Sequence, residues 1–441
     1  MKIGFYGGMA NNMYVFAKAF VDMGYDVCFI RDRTDKYPFS QPSWEDVSAN
    51  LSYSQVAIAA QWTSEQWTDW EVQQSWQSPH WIVDPDHRGT SIGQPQIKCW
   101  LHKILFRHLL KYQPRWQKIL FLMQTCDVLL VCGIEGEILA MLSGKPFAMW
   151  IHGGDIRTAA GLHPPHAPNF RQWIYYQSQL ELLRQSFRQT VFAGMQDPTG
   201  GGGHIGDAFK GLRTSRFGHL PIPLKANPRL SYQSRRQTLN ELMSRLGLPI
   251  PQAEFIGFIP SRLDFYWKGH DRLLEALNRL SKIEREKIHI IASGWGKNYE
   301  DIRESIKHNN LENQFTLLPY VVSKPILYKF FASADFVIDQ FLMGSYGSSA
   351  IEAMSFSTPV MMYINSKNFE KQGWEPPPVL NANNVNEIYQ ILRKITTYQI
   401  SLDELASSTY LWLKRNHSQE VVINQLADKL QLKVFHDETK N

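Results

Sequence analysis

Runs of about five apolar residues recur along the chain, each followed by a turn and then by a stretch with apolar positions three and four apart. The run Lys2–Tyr6 meets the turn Gly7-Gly8. Residues 11–23 then show helical spacing, with Asn11 placed to cap them and Gly24 to stop them. Asp26–Ile30 returns as a strand and completes a βαβ unit of about 30 residues. Residues 127–132 and 146–151 continue the series. After the segment Pro221-Ile222-Pro223 it resumes at 253–260, 288–292, 314–318 and 336–338. These runs are apolar throughout rather than alternating, which predicts parallel strands buried on both faces. The fold class is therefore α/β, as two doubly wound domains, residues 1–222 and 223–410, with helices over 411–441.

The densest chemistry follows the run at 336–338. A turn bearing Gly344 and Gly347 leads to Ser348-Ser349 and a short helical segment, which Thr358-Pro359 closes. Ser348 or Ser349 is the expected N-cap. A strand, a glycine turn and a helix start gather free N–H groups at the positive end of a dipole, which suits phosphate. Glu352, one turn inside, is placed to accept hydrogen bonds from a sugar hydroxyl. Phosphate beside polyol describes a nucleotide; an ordinary α/β connection is the competing account.

Composition narrows the class. With 441 residues, 44% apolar and 20% charged, the chain can fill two cores and is not disordered. A net charge of +5 is too small to imply nucleic acid. Four cysteines (Cys28, Cys99, Cys126, Cys132) without a Cys-x-x-Cys pair fit a reducing compartment and argue against zinc. The first residues run straight into a strand without a signal-peptide pattern, and no apolar run approaches about 18 residues, so a cytoplasmic protein is expected. Asp84-Pro85-Asp86 matches a metal-binding triplet only in its three letters, so neither metal nor cofactor is expected. Trp62, Trp67, Trp70, Trp76 and Trp81 are expected to pack, and the glycine-rich loop 197–204 lacks the ending of a P-loop.

Residues 87–126 contain seven Lys and Arg and no acid. Lys103, Arg107 and Lys111 share one helical face, beside Leu101, Ile104, Leu105 and Leu109. Pro114 ends or kinks this helix. The window 98–118 is thus a candidate contact for an anionic membrane surface, which would make the protein peripheral; a core-facing helix whose outer face is basic is the alternative.

Two further places carry candidate chemistry. Arg262 and Lys268 lie six apart after the run at 253–260; an arginine fork and a lysine point charge suit phosphate oxygens, with ordinary surface charge as the alternative. His152, in His152-Gly153-Gly154-Asp155, follows a strand end where open α/β sheets place ligands, with a structural turn histidine as the alternative.

Taken in order, Arg262-x5-Lys268-Gly269, Gly294-Trp295-Gly296 and Glu352-Ala353-Met354 through Thr358-Pro359-Val360 resemble the C-terminal domain of family-4 glycosyltransferases. In the N-terminal half the likeness rests on the Gly7-Gly8 turn and His152. The resemblance implies the GT-B architecture, two Rossmann-like domains facing across a cleft, with the last helices crossing back toward the first. It implies sugar transfer from a nucleotide sugar, with retention, to a glycan or lipid-linked acceptor, as in cell-envelope polysaccharide synthesis. By the same resemblance Arg262, Lys268 and His152 are catalytic. Glu352 holds the ribose, and Gly7, Gly8, Gly294, Gly347, Ser348 and Ser349 line the donor. Two positions depart from the pattern: Gly344 stands where the family has the first Glu of a pair, and Ser357 replaces a Gly. Either Asp339 or Gln340 substitutes for that Glu, or the sugar is held differently; the alternative function is an inactive GT-B relative that binds sugar nucleotides or regulates.

Overall fold

The computed structural model describes residues 1–7, 11–33, 37–86, 93–151, 155, 158, 169–196 and 217–432. The chain forms two compact units. One holds Met1–Pro42, Thr63–Pro223 and Gln419–Asn441; the other holds Ser43–Trp62 and Leu224–Ser418.

In the first unit seven strands form one sheet, in the spatial order Ile82–Val83, Asp26–Ile30, Lys2–Tyr6, Val128–Cys132, Phe147–Trp150, Phe192–Met195, Phe217–His219. Every pairing is parallel. Ranked along the chain the order is 3-2-1-4-5-6-7, so it reverses between Lys2–Tyr6 and Val128–Cys132. Val128–Cys132 is buried at every position, as its unbroken apolar run requires. Contrary to the expectation from sequence, Asn11 does not cap the helix Asn12–Asp22 through its side chain. It takes a left-handed conformation and donates from Nδ2 to Gln41 O at 2.7 Å. Trp67, Trp70 and Trp76 are buried, and Trp81 stacks on Tyr14 at 5.5 Å between ring centroids.

The acid-free window forms two helices, Trp100–Leu110 and Trp116–Gln124, separated at Pro114. Phe106 and Leu109 are buried, while Lys103, Arg107 and Lys111 are exposed together with Trp100, Leu101 and Ile104. Among the described residues no helix is long and apolar enough to cross a membrane.

In the second unit six parallel strands run in the order Phe315–Leu317, Ile288–Ala292, Phe255–Ile259, Phe336–Ile338, Val360–Met362, Leu380–Asn381. Ranked along the chain this is 3-2-1-4-5-6. Helix His270–Arg279 covers the sheet with Leu273, Leu274 and Leu277, spaced as an amphipathic helix requires. A short ribbon pairs Asn50–Ser52 antiparallel with Tyr320–Val322. Ser323 fastens it, its hydroxyl accepting from Ala49 N–H at 2.9 Å and donating to Val47 O at 2.6 Å. Residues 43–62 thereby belong to the second unit despite their early place in the chain.

Candidate active site

The order of the second sheet reverses between Phe255–Ile259 and Phe336–Ile338. The loops that follow these strands lie side by side at their C-terminal ends, the usual ligand position in such sheets. Phe341 N–H donates to Lys268 O at 2.8 Å, and the Lys268 ammonium reaches Asp339 Oδ1 at 2.5 Å. Asp339 is fully buried, and its Oδ2 has no donor. His270 holds the two loops together from below. Its Nδ1 accepts from Asp264 N–H at 3.3 Å, so Nε2 carries the proton and donates to Asp339 O at 2.9 Å. Burial, reinforced by Lys268, lowers its pKa to about 4 and keeps the ring neutral at pH 7.

Helix Ser348–Met354 begins at Gly347 without any side-chain cap, so neither Ser348 nor Ser349 plays the expected N-cap role. Both serines lie at the helix start, half-buried. Glu352 is buried; its Oε1 pairs with the Lys324 ammonium, and its Oε2 has no donor. Burial alone would lower Lys324, but the carboxylates of Glu352 and Glu45 outweigh it and raise the ammonium above its ordinary range. Lys324 carried no signal in the sequence, since a single lysine at a helix start fits no pattern.

The missing glutamate has a local explanation. Gly344 has φ +69°, and a Cβ there would lie 3.1 Å from Asn365 Cβ and Tyr363 Cε1. A left-handed backbone of this kind favours glycine. Gln340 is wholly occupied by its own loop. Its Nε2 donates to Ser345 O at 2.7 Å and Tyr363 O at 2.8 Å, and its Oε1 accepts from Leu342 and Met343 N–H. Of the two candidate substitutes only Asp339 retains an unfilled acceptor.

Arg262 and Lys268 take different partners. The Arg262 side chain is 45% exposed, with Nε 3.3 Å from Asp264 Oδ2. Asp264 is held below the usual carboxylate range: burial works against this, but the Trp267 N–H and Arg262 prevail. Gly294 and Gly296 are required by close packing. A Cβ at Gly294 would fall 1.8 Å from Leu318 O, and one at Gly296 2.3 Å from the Leu263 backbone. This approach lets Leu263 N–H donate to Trp295 O at 2.8 Å and orders the loop that carries Arg262. Ser357 has φ +55°, which explains a glycine preference there, and its hydroxyl donates to Asn227 O at 2.5 Å.

Residues 245–370, which include Lys268, Lys324, Asp339 and Glu352, match the family described as glycosyl transferases group 1. Among solved structures, Anabaena HepE in complex with UDP and glucose superposes with a TM-score of 0.60 at 15% identity, covering 98% of this chain and 99% of that one. The catalytic domain of starch synthase IV from Arabidopsis thaliana, bound to ADP and acarbose, gives 0.59 at 11% identity, over 98% and 99%. Sucrose-phosphate synthase from Thermosynechococcus elongatus gives 0.57 at 12% identity, over 98% of each chain. The fold is GT-B. The chain resembles the group 1 glycosyltransferases of that fold. No curated protein matches it by sequence.

The first GT-B sheet reverses its order at Gly7, where a Cβ would lie 2.6 Å from Cys132 O. Gly8 and His152 lie outside the described residues. Around this point the structure gathers Tyr6, Asp32 and Glu135, which the sequence did not single out. Tyr6 OH donates to Asp32 Oδ2 at 2.9 Å, and Asp32 also pairs with Arg115. Burial, with Asp32, raises Glu135. Glu137 is fully buried with no donor to either carboxyl oxygen, and burial together with Asp155 pushes it well above the usual carboxyl range. Asp84 pairs with Arg33, and Asp86 with Lys118 at 3.1 Å. Among the described residues no cluster of three or more His, Cys, Asp or Glu could hold a metal ion.

Proposed function

We propose that this protein transfers a hexose from a nucleoside diphosphate sugar to a glycan or lipid-linked acceptor, with retention and without a metal ion. One observation carries the reading. Asp339 and Glu352 are two buried carboxylates at the strand reversal, each paired with a lysine through one oxygen and each lacking a donor at the other. Sugar hydroxyls are donors, and a nucleotide sugar brings them on both its ribose and its hexose. Glu352 takes the ribose. Asp339 takes the transferred sugar from the loop where Gly344 replaces the family's glutamate.

Lys268 and Arg262 supply positive charge to the departing diphosphate, aided by the uncapped start of helix Ser348–Met354. With that charge neutralised by the chain, no metal is needed. The leaving phosphate then takes the acceptor proton on the same face. The group 1 match over 245–370 supports this class of reaction, and the HepE complex with UDP-glucose supports the class of donor. The exposed basic and apolar residues of helix Trp100–Leu110 support peripheral attachment to an anionic membrane.

The test is a thermal-shift screen of nucleotide sugars, followed by product analysis in excess chelator. Stabilisation by one donor and a product of retained anomeric configuration are expected. Loss of transfer on chelation, with rescue by magnesium or manganese, would reject the metal-free reading. Binding without turnover for every acceptor would favour the inactive relative that Gly344 brings to mind.

A further inference from the structure

The second unit contains a cavity of about 480 Å³ that the donor chemistry does not use. Arg229, Ser231, Tyr232, Arg235, Ser407 and Tyr410 line it. Three guanidinium groups converge behind it on one buried acid. Arg235 Nη2 lies 3.2 Å from Asp335 Oδ1, Arg236 Nη2 lies 2.7 Å from Oδ2, and Arg229 Nη2 donates to the Asp335 carbonyl oxygen at 3.0 Å. The second acid, Asp403, sits at the rim with its side chain 79% exposed. Its Oδ1 is 2.9 Å from Arg229 Nε, an ion pair at the solvent edge.

Three cations thus face two anions, only one of which is buried. The side chains of Arg229 and Arg235 are 10% and 7% exposed. Arg229 Nη1 and Arg235 Nε are buried without a hydrogen-bond partner. Unfilled donors on a buried cation are among the costlier unmade hydrogen bonds. Burial and then Arg235 lower the pKa of Arg229 to about 10, and the two carboxylates only partly offset this. The start of helix Tyr232–Arg245, with no acid in its first turn, borders the same space.

We infer that this cavity is a phosphomonoester site, taking the phosphoryl group of a small phosphorylated sugar. A phosphoryl dianion supplies the charge that Arg229 and Arg235 lack and displaces Asp403 from the rim. With Asp403 displaced, its oxygens accept from the guanidinium groups of Arg229 and Arg235 that line the cavity, as arginine forks favour. The volume falls within the roughly 300–1,000 Å³ of small-molecule sites, which leaves room for a hexose beyond the phosphoryl group. Ser407, whose hydroxyl donates to Asp403 O at 2.9 Å, and Tyr410 line that remaining space. This site shares no residue with the proposed nucleotide-sugar site and stands independently of it.

The experiment is isothermal titration of the full chain in phosphate-free buffer with glucose 6-phosphate, with inorganic phosphate and glucose as comparison probes. Saturable binding of glucose 6-phosphate, and none of glucose, is expected. Asp403→Asn, which removes the competing carboxylate, should tighten binding at least threefold. Ser407→Asp, at an exposed position on the cavity wall, should weaken it at least tenfold, as should Arg229→Gln. Circular dichroism verifies each fold, and stabilisation by UDP-glucose should be unchanged in all three variants, which separates this site from the donor site. No saturable binding by either wild type or Asp403→Asn would overturn the proposal, as would wild-type affinity in a folded Ser407→Asp. Tighter binding of inorganic phosphate than of glucose 6-phosphate would overturn the sugar phosphate as occupant.

Discussion

At the scale of single residues, the site is a set of charges whose worth depends on burial. Lys268 and Arg262 differ in this respect: the first is fixed on a fully buried carboxylate, while the second is half exposed and restrained by one contact. Both are expected to act on the leaving diphosphate. Lys268→Ala and Arg262→Ala should each lower transfer at least tenfold, about 1.4 kcal/mol in the barrier. Near-wild-type turnover in both folded variants would remove the assignment. Lys324 acts through Glu352 instead. Lys324→Met strands a buried carboxylate and should destabilise the second unit by about 3–5 kcal/mol. Adding Glu352→Gln removes the stranded charge and should recover a large part of that loss. Urea denaturation of the single and double variants reads both values; equal stability of the single variant and wild type would show the pair to be solvated.

Elements convert these residues into a pH response. Helix His270–Arg279 begins with a buried imidazole that bridges Asp264 and Asp339 while neutral. Its folded pKa is about 4, against an ordinary value of 6.5. Between these values the unfolded chain binds the proton and the folded chain does not, so stability falls as pH drops from about 6.5 toward 4. His219, lowered to about 4 by burial, contributes in the same direction in the first unit. The denaturation midpoint should therefore decline over this window, and His270→Gln should make the decline shallower. An identical pH profile for the variant would place the acid sensitivity elsewhere.

At the scale of the whole molecule, the exposed face of helix Trp100–Leu110 bears on where the protein works. Lys103, Arg107 and Lys111 are exposed beside Trp100, Leu101 and Ile104, the combination by which an interfacial helix holds to anionic lipid. Each cation near such a surface contributes roughly 1 kcal/mol, so three suffice for reversible attachment. Wild type should co-sediment with anionic but not neutral liposomes at low salt, and the Lys103→Glu/Arg107→Glu/Lys111→Glu variant should stay in solution. Equal sedimentation of the two proteins would reject this face as the contact.

Local pattern was enough to predict most of the parallel strands, several of the helices and the alternation of two doubly wound halves, but not the long helix Phe170–Gln189 or the strands Phe192–Met195 and Phe217–His219. An apolar run or an amphipathic turn expresses its preference within a window of about five to twenty residues, and the neighbours needed to read it lie inside that window. The Lys268-Gly269 and Glu352-Ala353-Met354 motifs were legible for the same reason. What those residues touch was not. Lys324 meets Glu352 across 28 residues, Lys268 meets Asp339 across 71, and Ala49 meets Ser323 across 274. Sheet order sets those meetings, and long-range packing sets sheet order. The N-cap expected at Ser348 or Ser349 and the substitute role weighed for Gln340 both failed at this level. Gly347 starts the helix, and the loop's own carbonyl and N–H groups consume the glutamine amide. Only the folded chain decides which carboxylates are buried and which of their oxygens stay unfilled, because desolvation depends on what surrounds a group in space rather than on its neighbours in sequence.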